Sequence, residues 1–363
     1  MRCPIDAASL AVANFRDRSY APVSEVFYVH QRIRSASDRV SIANDRRDAV
    51  IQTAGIVANQ QLCREHYRLT LGLDMFPGAT PGQFVHLSPE PDSPSAYRTC
   101  DSSRRAPRDD RTAKRSAPML RRAFSIAGLR DVSEGINLDV IYRVVGAATG
   151  WMQSLSVTDR LSLLGPLGNR FPIHNRKQVA WLVAGGVGLP PMLWLVEALR
   201  NAGKRAVAFC GAQTGDLLAL TLEPSVRPAD DARCATLCCP EFAQNDAPVV
   251  ISTDDGSLGF RGHIGAALAI YHKANPVPSD ELVVYTCGPE PLMQFVAEYC
   301  VERDIECYAC MERAMACGTG LCQSCVVPVR DDTDPDGWRY RLCCTEGPVF
   351  NAAEIIWEPI GSG

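Results

Sequence analysis

The chain has no apolar run approaching the ~18 residues of a membrane-spanning helix, so no membrane association is expected. Its opening stretch, Met1–Leu10, lacks an apolar core long enough for a secretory signal, and a cytoplasmic protein is the expectation. It has no excess of positive charge: 37 Lys and Arg stand against 41 Asp and Glu, a formal net charge of −4. Nucleic acid is therefore not an expected partner. No internal repeat is present, which sets solenoids and propellers aside. Cysteine, by contrast, is abundant, with 16 among 363 residues. A reduced chain needs a reason for that many thiols, either metal ligation or burial as small hydrophobes.

The reason is concentrated near the C-terminal end. Cys317, Cys322 and Cys325 form a C-x4-C-x2-C pattern with Gly318 and Gly320 inside it. A fourth thiol follows at Cys343 or Cys344. This is the plant-type spacing for a [2Fe–2S] cluster, which takes four thiolates. The glycines let the loop adopt positive φ and turn backbone N–H groups toward sulfur. A rival pairing exists. Cys307 and Cys310 also form a C-x2-C, and with Cys322 and Cys325 they would make a four-cysteine zinc site, with 11 residues between the pairs. That pairing leaves Cys317 and both glycines unused. The remaining cysteines, such as Cys210 within an apolar strand, read as buried small hydrophobes.

Composition divides the chain into four regions. Residues 1–48 are polar and weakly patterned and read as a poorly ordered extension. Residues 49–173 hold many short alternating segments with Gly/Pro turns, the texture of a small antiparallel β-barrel. Within it, 88–118 is a long polar stretch expected to be a disordered insertion. Residues 178–305 change character. Val179–Ala184 is continuously apolar, as a parallel strand covered on both faces requires. Helical stretches at 190–202, 262–273 and 291–303 then alternate with strands, which predicts a doubly wound α/β domain. Residues 306–357 form a small cysteine-rich domain.

Three further motifs carry chemistry. Arg122, Ala123, Phe124 and Ser125 lie on a barrel strand, where a guanidinium can pair with diphosphate, a ring can pack on a flavin and a hydroxyl can bond a flavin nitrogen. Ile141, Tyr142 and Arg143 supply a second aromatic–arginine pair, followed by a small-residue turn at Ala148 and Thr149. Gly185, Gly186 and Gly188 follow the buried strand and open a helix, offering close backbone approach to a pyrophosphate. Cys287, Gly288 and Pro289 end another apolar strand. Strand C-termini line the ligand crevice of such sheets, so Cys287 is placed to face a nicotinamide. Ser125 and Cys287 are the candidates for direct catalytic contact.

Arg-x-Phe-Ser in a barrel, then Gly-Gly-x-Gly-x-Pro, then Cys-Gly-Pro-x-x-Leu-Met, resembles the ferredoxin–NADP reductase superfamily. The tail narrows the resemblance. Met311–Gly320 and Cys344–Phe350, with the turn Leu164–Asn169 and Ser252–Ser257, resemble the electron-transfer subunits of dihydroorotate dehydrogenase B over about 50–355. The resemblance implies two FAD segments, at Arg122–Ser125 and Ile141–Arg143. It implies a third contact at Ala148 and Thr149, where the family has Gly-Thr. Ala123 stands where the family more often has proline. It also implies cluster ligands at Cys317, Cys322, Cys325 and Cys344, the last because it lies three before the glycine of Gly-Pro-Val-Phe. The 18-residue gap from Cys325 to Cys344 is longer than the family's, and Asp331–Gly337 reads as a surface turn. The implied function is electron transfer in de novo pyrimidine biosynthesis. Electrons from dihydroorotate would come from a partner subunit holding FMN, cross [2Fe–2S] and FAD, and reduce NAD+ within a heterotetramer. No Arg/Lys cluster follows Phe209–Gly215, which favours NAD over NADP. Two alternatives stand beside this: a related FAD/[2Fe–2S] reductase subunit of the sulfhydrogenase or sulfite-reductase type, and a non-enzymatic cluster-bearing redox sensor.

Overall fold

Six antiparallel strands close into a barrel in a computed structural model that describes residues 49–90 and 120–357. The extension at 1–48, and all of the 88–118 insertion beyond Glu90, lie outside the described residues. The strands are β1 (Val50–Cys63), β2 (His66–Leu73), β3 (Phe84–Pro89), β4 (Arg122–Val132), β5 (Gly135–Arg143) and β6 (Arg160–Leu167), in the spatial order β1-β2-β5-β4-β3-β6. Alternation sends Leu69, Leu71 and Leu73 of β2 inward with Leu138, Val140, Leu161 and Leu163. Closure leaves no sheet edge to protect. A short helix, α1 (Ala147–Gln153), contributes Trp151 and Met152 to the same core.

The second unit is a seven-stranded sheet. It contains β7 (Val179–Gly185), β8 (Arg205–Ala212), β9 (Val249–Thr253), β10 (Phe260–Arg261), β11 (Leu282–Cys287), β12 (Glu306–Cys310) and β15 (Val349–Asn351). Their order is β10-β9-β8-β7-β11-β12-β15, parallel except for the last strand. Every residue of β7 is buried, as its unbroken apolar run requires. Val179, Trp181 and Val183 pack on one face with α4 (Ile264–Ala274) and α5 (Glu290–Val301). Ala180, Leu182 and Ala184 pack on the other with α2 (Leu189–Asn201). Helices on both faces of a parallel sheet make the expected doubly wound domain. The sheet continues past residue 305, since β12 and β15 come from the cysteine-rich region.

That region adds a hairpin of β13 (Val326–Arg330) and β14 (Trp338–Leu342). The turn between them is Asp331–Gly337. The barrel and sheet share packing, because Trp194 of α2 enters the barrel core.

Candidate functional site

The cysteine loop follows β12 and is shaped by three left-handed residues, Gly318, Gly320 and Gln323, at φ of 73°, 87° and 54°. Its backbone turns toward sulfur. The N–H groups of Thr319 and Cys322 each donate to Cys317 Sγ at 3.4 Å, and Cys344 N–H donates to Cys325 Sγ at 3.4 Å. The N–H of Cys322, then that of Thr319, holds the Cys317 thiol down to about 6, well within thiolate range at neutral pH. Cys322 is also lowered, chiefly by its bond with Ser324 Oγ at 3.2 Å. Burial and the neighbouring Cys325 thiol push Cys344 up to about 12. The four thiols thus fall into two pairs, Cys317 with Cys322 and Cys325 with Cys344. Two irons with two thiolates each need that grouping, so the donor set fits a [2Fe–2S] cluster. Among the described residues no three such side chains converge as the ligands of one ion would.

Two alternatives left open by the cysteine pattern separate here. Cys343 is fully buried, and its Sγ donates to the Met311 carbonyl at 3.4 Å, with the Cys310 thiol, which lies outside the loop, beside it. Cys344 joins the loop. The zinc pairing fails on strand geometry. Cys307 and Cys310 are three apart on β12 and point to opposite sheet faces. Cys307 packs with Cys300 in the core under α5, while Cys310 lies in the α2-side core.

The long gap between Cys325 and Cys344 is absorbed by the hairpin. Val326 pairs with Leu342, and Cys343 N–H donates to Cys325 O at 2.8 Å. The Asp331–Gly337 turn sits at the far end, beyond the Arg330–Trp338 pair.

The sheet's order reverses between β7 and β11, and the two glycine motifs meet there. A Cβ on Gly188 would lie 2.2 Å from the carbonyl carbon and oxygen of Cys287, and one on Gly288 would lie 2.7 Å from Gly185 O. Backbone therefore packs directly on backbone at the C-terminal ends of adjacent strands. Gly186 stands at φ 53° with open space where a side chain would be. These features fit a dinucleotide crevice at a topological switch point. Cys287 is 1% exposed, with its Sγ turned toward Cys310 and Glu312 Oε1 at 4.0 Å.

The barrel motifs place their side chains unevenly. Arg122 is exposed and, among the described residues, reaches only the carbonyls of Leu120 and Arg121. Ala123 packs toward the cluster-side core, and Ser125 lies half-buried opposite Phe84 of β3. Phe124 packs edge-on against Tyr142 at 6.3 Å, toward the barrel core. Tyr142 is turned into that core, its hydroxyl donating to Asn59 Oδ1 at 3.1 Å, while Ile141 points the other way. Arg143 is held by Glu65 through two 2.9 Å contacts. Ala148 is half-buried, and Thr149 Oγ1 accepts from the N–H groups of Val145 and Gly146. Gly146 has nothing within 4 Å of its Cβ position, so this turn leaves room for a ligand.

One residue that the motifs did not single out joins the regions. Asn169 ends the turn after β6 and is 4% exposed. Its Nδ2 donates to Glu346 O at 2.9 Å and Val349 O at 2.8 Å, and its Oδ1 accepts from Val349 N–H at 2.9 Å. Its own N–H donates to Gly347 O at 2.6 Å. The turn Leu164–Asn169 and the segment Gly347–Phe350 are thus one latch, which their separation in sequence hid.

Known proteins agree with this arrangement. Residues 312–356 match the iron–sulfur cluster binding domain of dihydroorotate dehydrogenase B. The dihydroorotate dehydrogenase B (NAD(+)) electron transfer subunit of Bacillus caldolyticus is 31% identical over 304 residues, covering 83% of this chain and 96% of that one. The subunit of the same name from Desulforamulus reducens is 30% identical over 280 residues, 77% of this chain and 88% of that one. Among solved structures, a chain of NADH-dependent reduced ferredoxin–NADP oxidoreductase superposes with TM-score 0.62 at 22% identity, covering 84% of this chain and 90% of that one. That likeness concerns the fold. With a 31%-identical relative matched over nearly its whole length, the chain belongs to the dihydroorotate dehydrogenase B electron-transfer subunits.

Proposed function

We propose that this chain passes electrons from a partner subunit's FMN, where dihydroorotate is oxidised, to NAD+ in pyrimidine biosynthesis, with [2Fe–2S] and FAD as its own carriers. When bound, the cluster supplies one-electron transfer and the flavin links it to the two-electron chemistry of nicotinamide. The observation that carries the reading is the grouping of four thiols in two pairs on a loop seated against the barrel.

Each region of the chain has a part. Cys317, Cys322, Cys325 and Cys344 would hold the cluster, and the N–H groups of Thr319, Cys322 and Cys344 already turn toward their sulfurs. Arg122–Ser125, Ile141–Arg143, Ala148 and Thr149 would hold FAD. In that set Arg122 offers free charge to the diphosphate and Ser125 a hydroxyl to the ring. Tyr142 and Arg143, already engaged with Asn59 and Glu65, would act through backbone and shape. Gly185, Gly186, Gly188, Cys287, Gly288 and Pro289 would shape the nucleotide crevice. No basic side chain occurs between β8 and Arg227, and Arg64 close by is held by Asp216 at 3.0 Å, which supports NAD.

The partner in this reading is the FMN-containing catalytic subunit, in a cytoplasmic heterotetramer. Among the described residues no helix is long and apolar enough to cross a membrane. The test is copurification under anaerobic conditions. Flavin and cluster absorbance in this chain, with NAD+ reduction dependent on dihydroorotate and on the copurified subunit, is the expected result. A chain that takes up no flavin after reconstitution would refute it.

A further inference from the structure

His86 is on β3 and has no exposed surface, yet among the described residues neither ring nitrogen has a hydrogen-bond partner. Its place explains what the ring faces. On β3, Val85 and Leu87 fill the barrel, so Phe84 and His86 project outward. Outward there means toward the cluster domain. Phe84 packs in the core that holds Cys325, Cys343 and Cys344, and the His86 ring abuts Gly318. A Cβ on Gly318 would lie 2.6 Å from the ring's Cε1, 2.8 Å from Nε2 and 3.0 Å from Nδ1. Gly318 is thus required twice, for its φ of 73° and for room beside the ring. In register across the barrel, His86 pairs with Ala123 of the flavin strand.

A buried N–H left without an acceptor is costly, and native proteins seldom keep one. Burial and the Arg121 charge lower the ring's pKa to about 4, so at neutral pH it carries one N–H and one bare nitrogen. Gly318 gives neither ring nitrogen a hydrogen bond. The residue before it, Cys317, is a thiolate in the reading above, and cluster sulfurs accept hydrogen bonds. We propose that His86 is the barrel's hydrogen-bond donor to the iron–sulfur cluster, meeting a sulfur on the Cys317 side of the loop. Such a donor stabilises the charge added on reduction and so raises the cluster potential. This inference rests on the cluster assignment made under the proposed function.

The experiment uses full-length protein with its cluster, labelled with 15N only in histidine and reduced with dithionite. Hyperfine spectroscopy at the [2Fe–2S] signal is expected to show a 15N coupling that disappears in His86→Phe. The midpoint potential of His86→Phe is expected to fall by a tenfold shift in the reduction equilibrium, about 59 mV for one electron. His86→Asn, which keeps a donor, recovers part of it. The wild-type labelling result stands even if His86→Phe does not fold. A normal cluster signal without histidine coupling, or coupling on a flavin signal instead, overturns this inference alone. A protein with no [2Fe–2S] signal overturns the proposed function and this inference together.

Discussion

Asn169→Ala tests whether the barrel holds the cluster domain in place. The side chain makes three hydrogen bonds to backbone groups of Glu346 and Val349, all at 2.8–2.9 Å, from a position 4% exposed. Each net bond contributes about 1 kcal/mol, and a buried group left unpaired costs roughly 1–3 kcal/mol. The loss is therefore about 3–5 kcal/mol. For a chain of this size about 2 °C accompanies each kcal/mol, so the melting temperature of the cofactor-loaded protein should fall by roughly 6–10 °C. Asn169→Asp separates bonding from space-filling. It keeps the shape and the acceptor for Val349 N–H, but it turns an anionic oxygen onto the carbonyls of Glu346 and Val349. It should be no more stable than the alanine variant. Differential scanning fluorimetry on both proteins, with EPR of the reduced cluster alongside, is sufficient. A loss below about 1 kcal/mol in Asn169→Ala, or wild-type behaviour in Asn169→Asp, would refute the latch, since a single net hydrogen bond already contributes that much.

Other regions give equally direct tests. Cys344→Ser should abolish the [2Fe–2S] EPR signal while Cys343→Ser retains it, because the Cys343 thiol is spent on the Met311 carbonyl while Cys344 donates its N–H to Cys325 Sγ; the reverse would reassign the ligand. Gly188→Ala puts a methyl 2.2 Å from the Cys287 carbonyl, where contacts of about 3.5 Å are the norm, and should cost about 3 kcal/mol and raise KM for NAD+ at least tenfold. Gly203→Ala, whose φ is 70° but whose Cβ position is open, should cost only about 1 kcal/mol and leave KM unchanged. Burial lowers the pKa of His66, His174 and His272. The unfolded chain therefore binds more protons than the native one once pH drops toward ~6.5, and stability should decline steadily between pH 7.5 and 5.5. A melting temperature that is flat or rising over that interval would contradict it.

What could be read from residues alone followed the range of the underlying physics. The period-2 alternation of β2 and the unbroken apolar run of β7 are local, and both marked their elements and the class of sheet each belongs to. The cysteine loop was legible for the same reason, since Cys317 to Cys325 carries its ligand spacing and its glycines within one turn of chain. Facing was harder to read. Tyr142 looked available to a ligand, yet β5 turns it into the barrel toward Asn59 while Ile141 goes outward. Cys307 and Cys310 made a credible metal pair only while their strand was unknown. Long-range meetings were not legible. Nothing in Leu164–Asn169 or in Gly347–Phe350 says that one bonds the other, although each stood out separately. His86 lay in an ordinary strand, and only the approach of Gly318 makes it unusual.

The proposed fourth ligand, Cys344, shows how these long-range contacts bear on chemistry. A thiolate 19 positions after Cys325 could sit anywhere unless something fixes it. Two constraints do so from opposite sides. The β13–β14 hairpin returns the chain to Cys325, so a turn of any length at Asp331–Gly337 leaves Cys344 in the same place. Asn169 then clamps Glu346, Gly347 and Val349 immediately after it, and the barrel supplies that clamp. Cys344 is therefore located relative to the barrel by protein bonds, before any metal contributes. If the proposed ligand set holds, a site built this way would keep it preorganised, which loop spacing alone cannot achieve. The Asp331–Gly337 turn lies where neither constraint touches the chain, so its length does not bear on the position of Cys344.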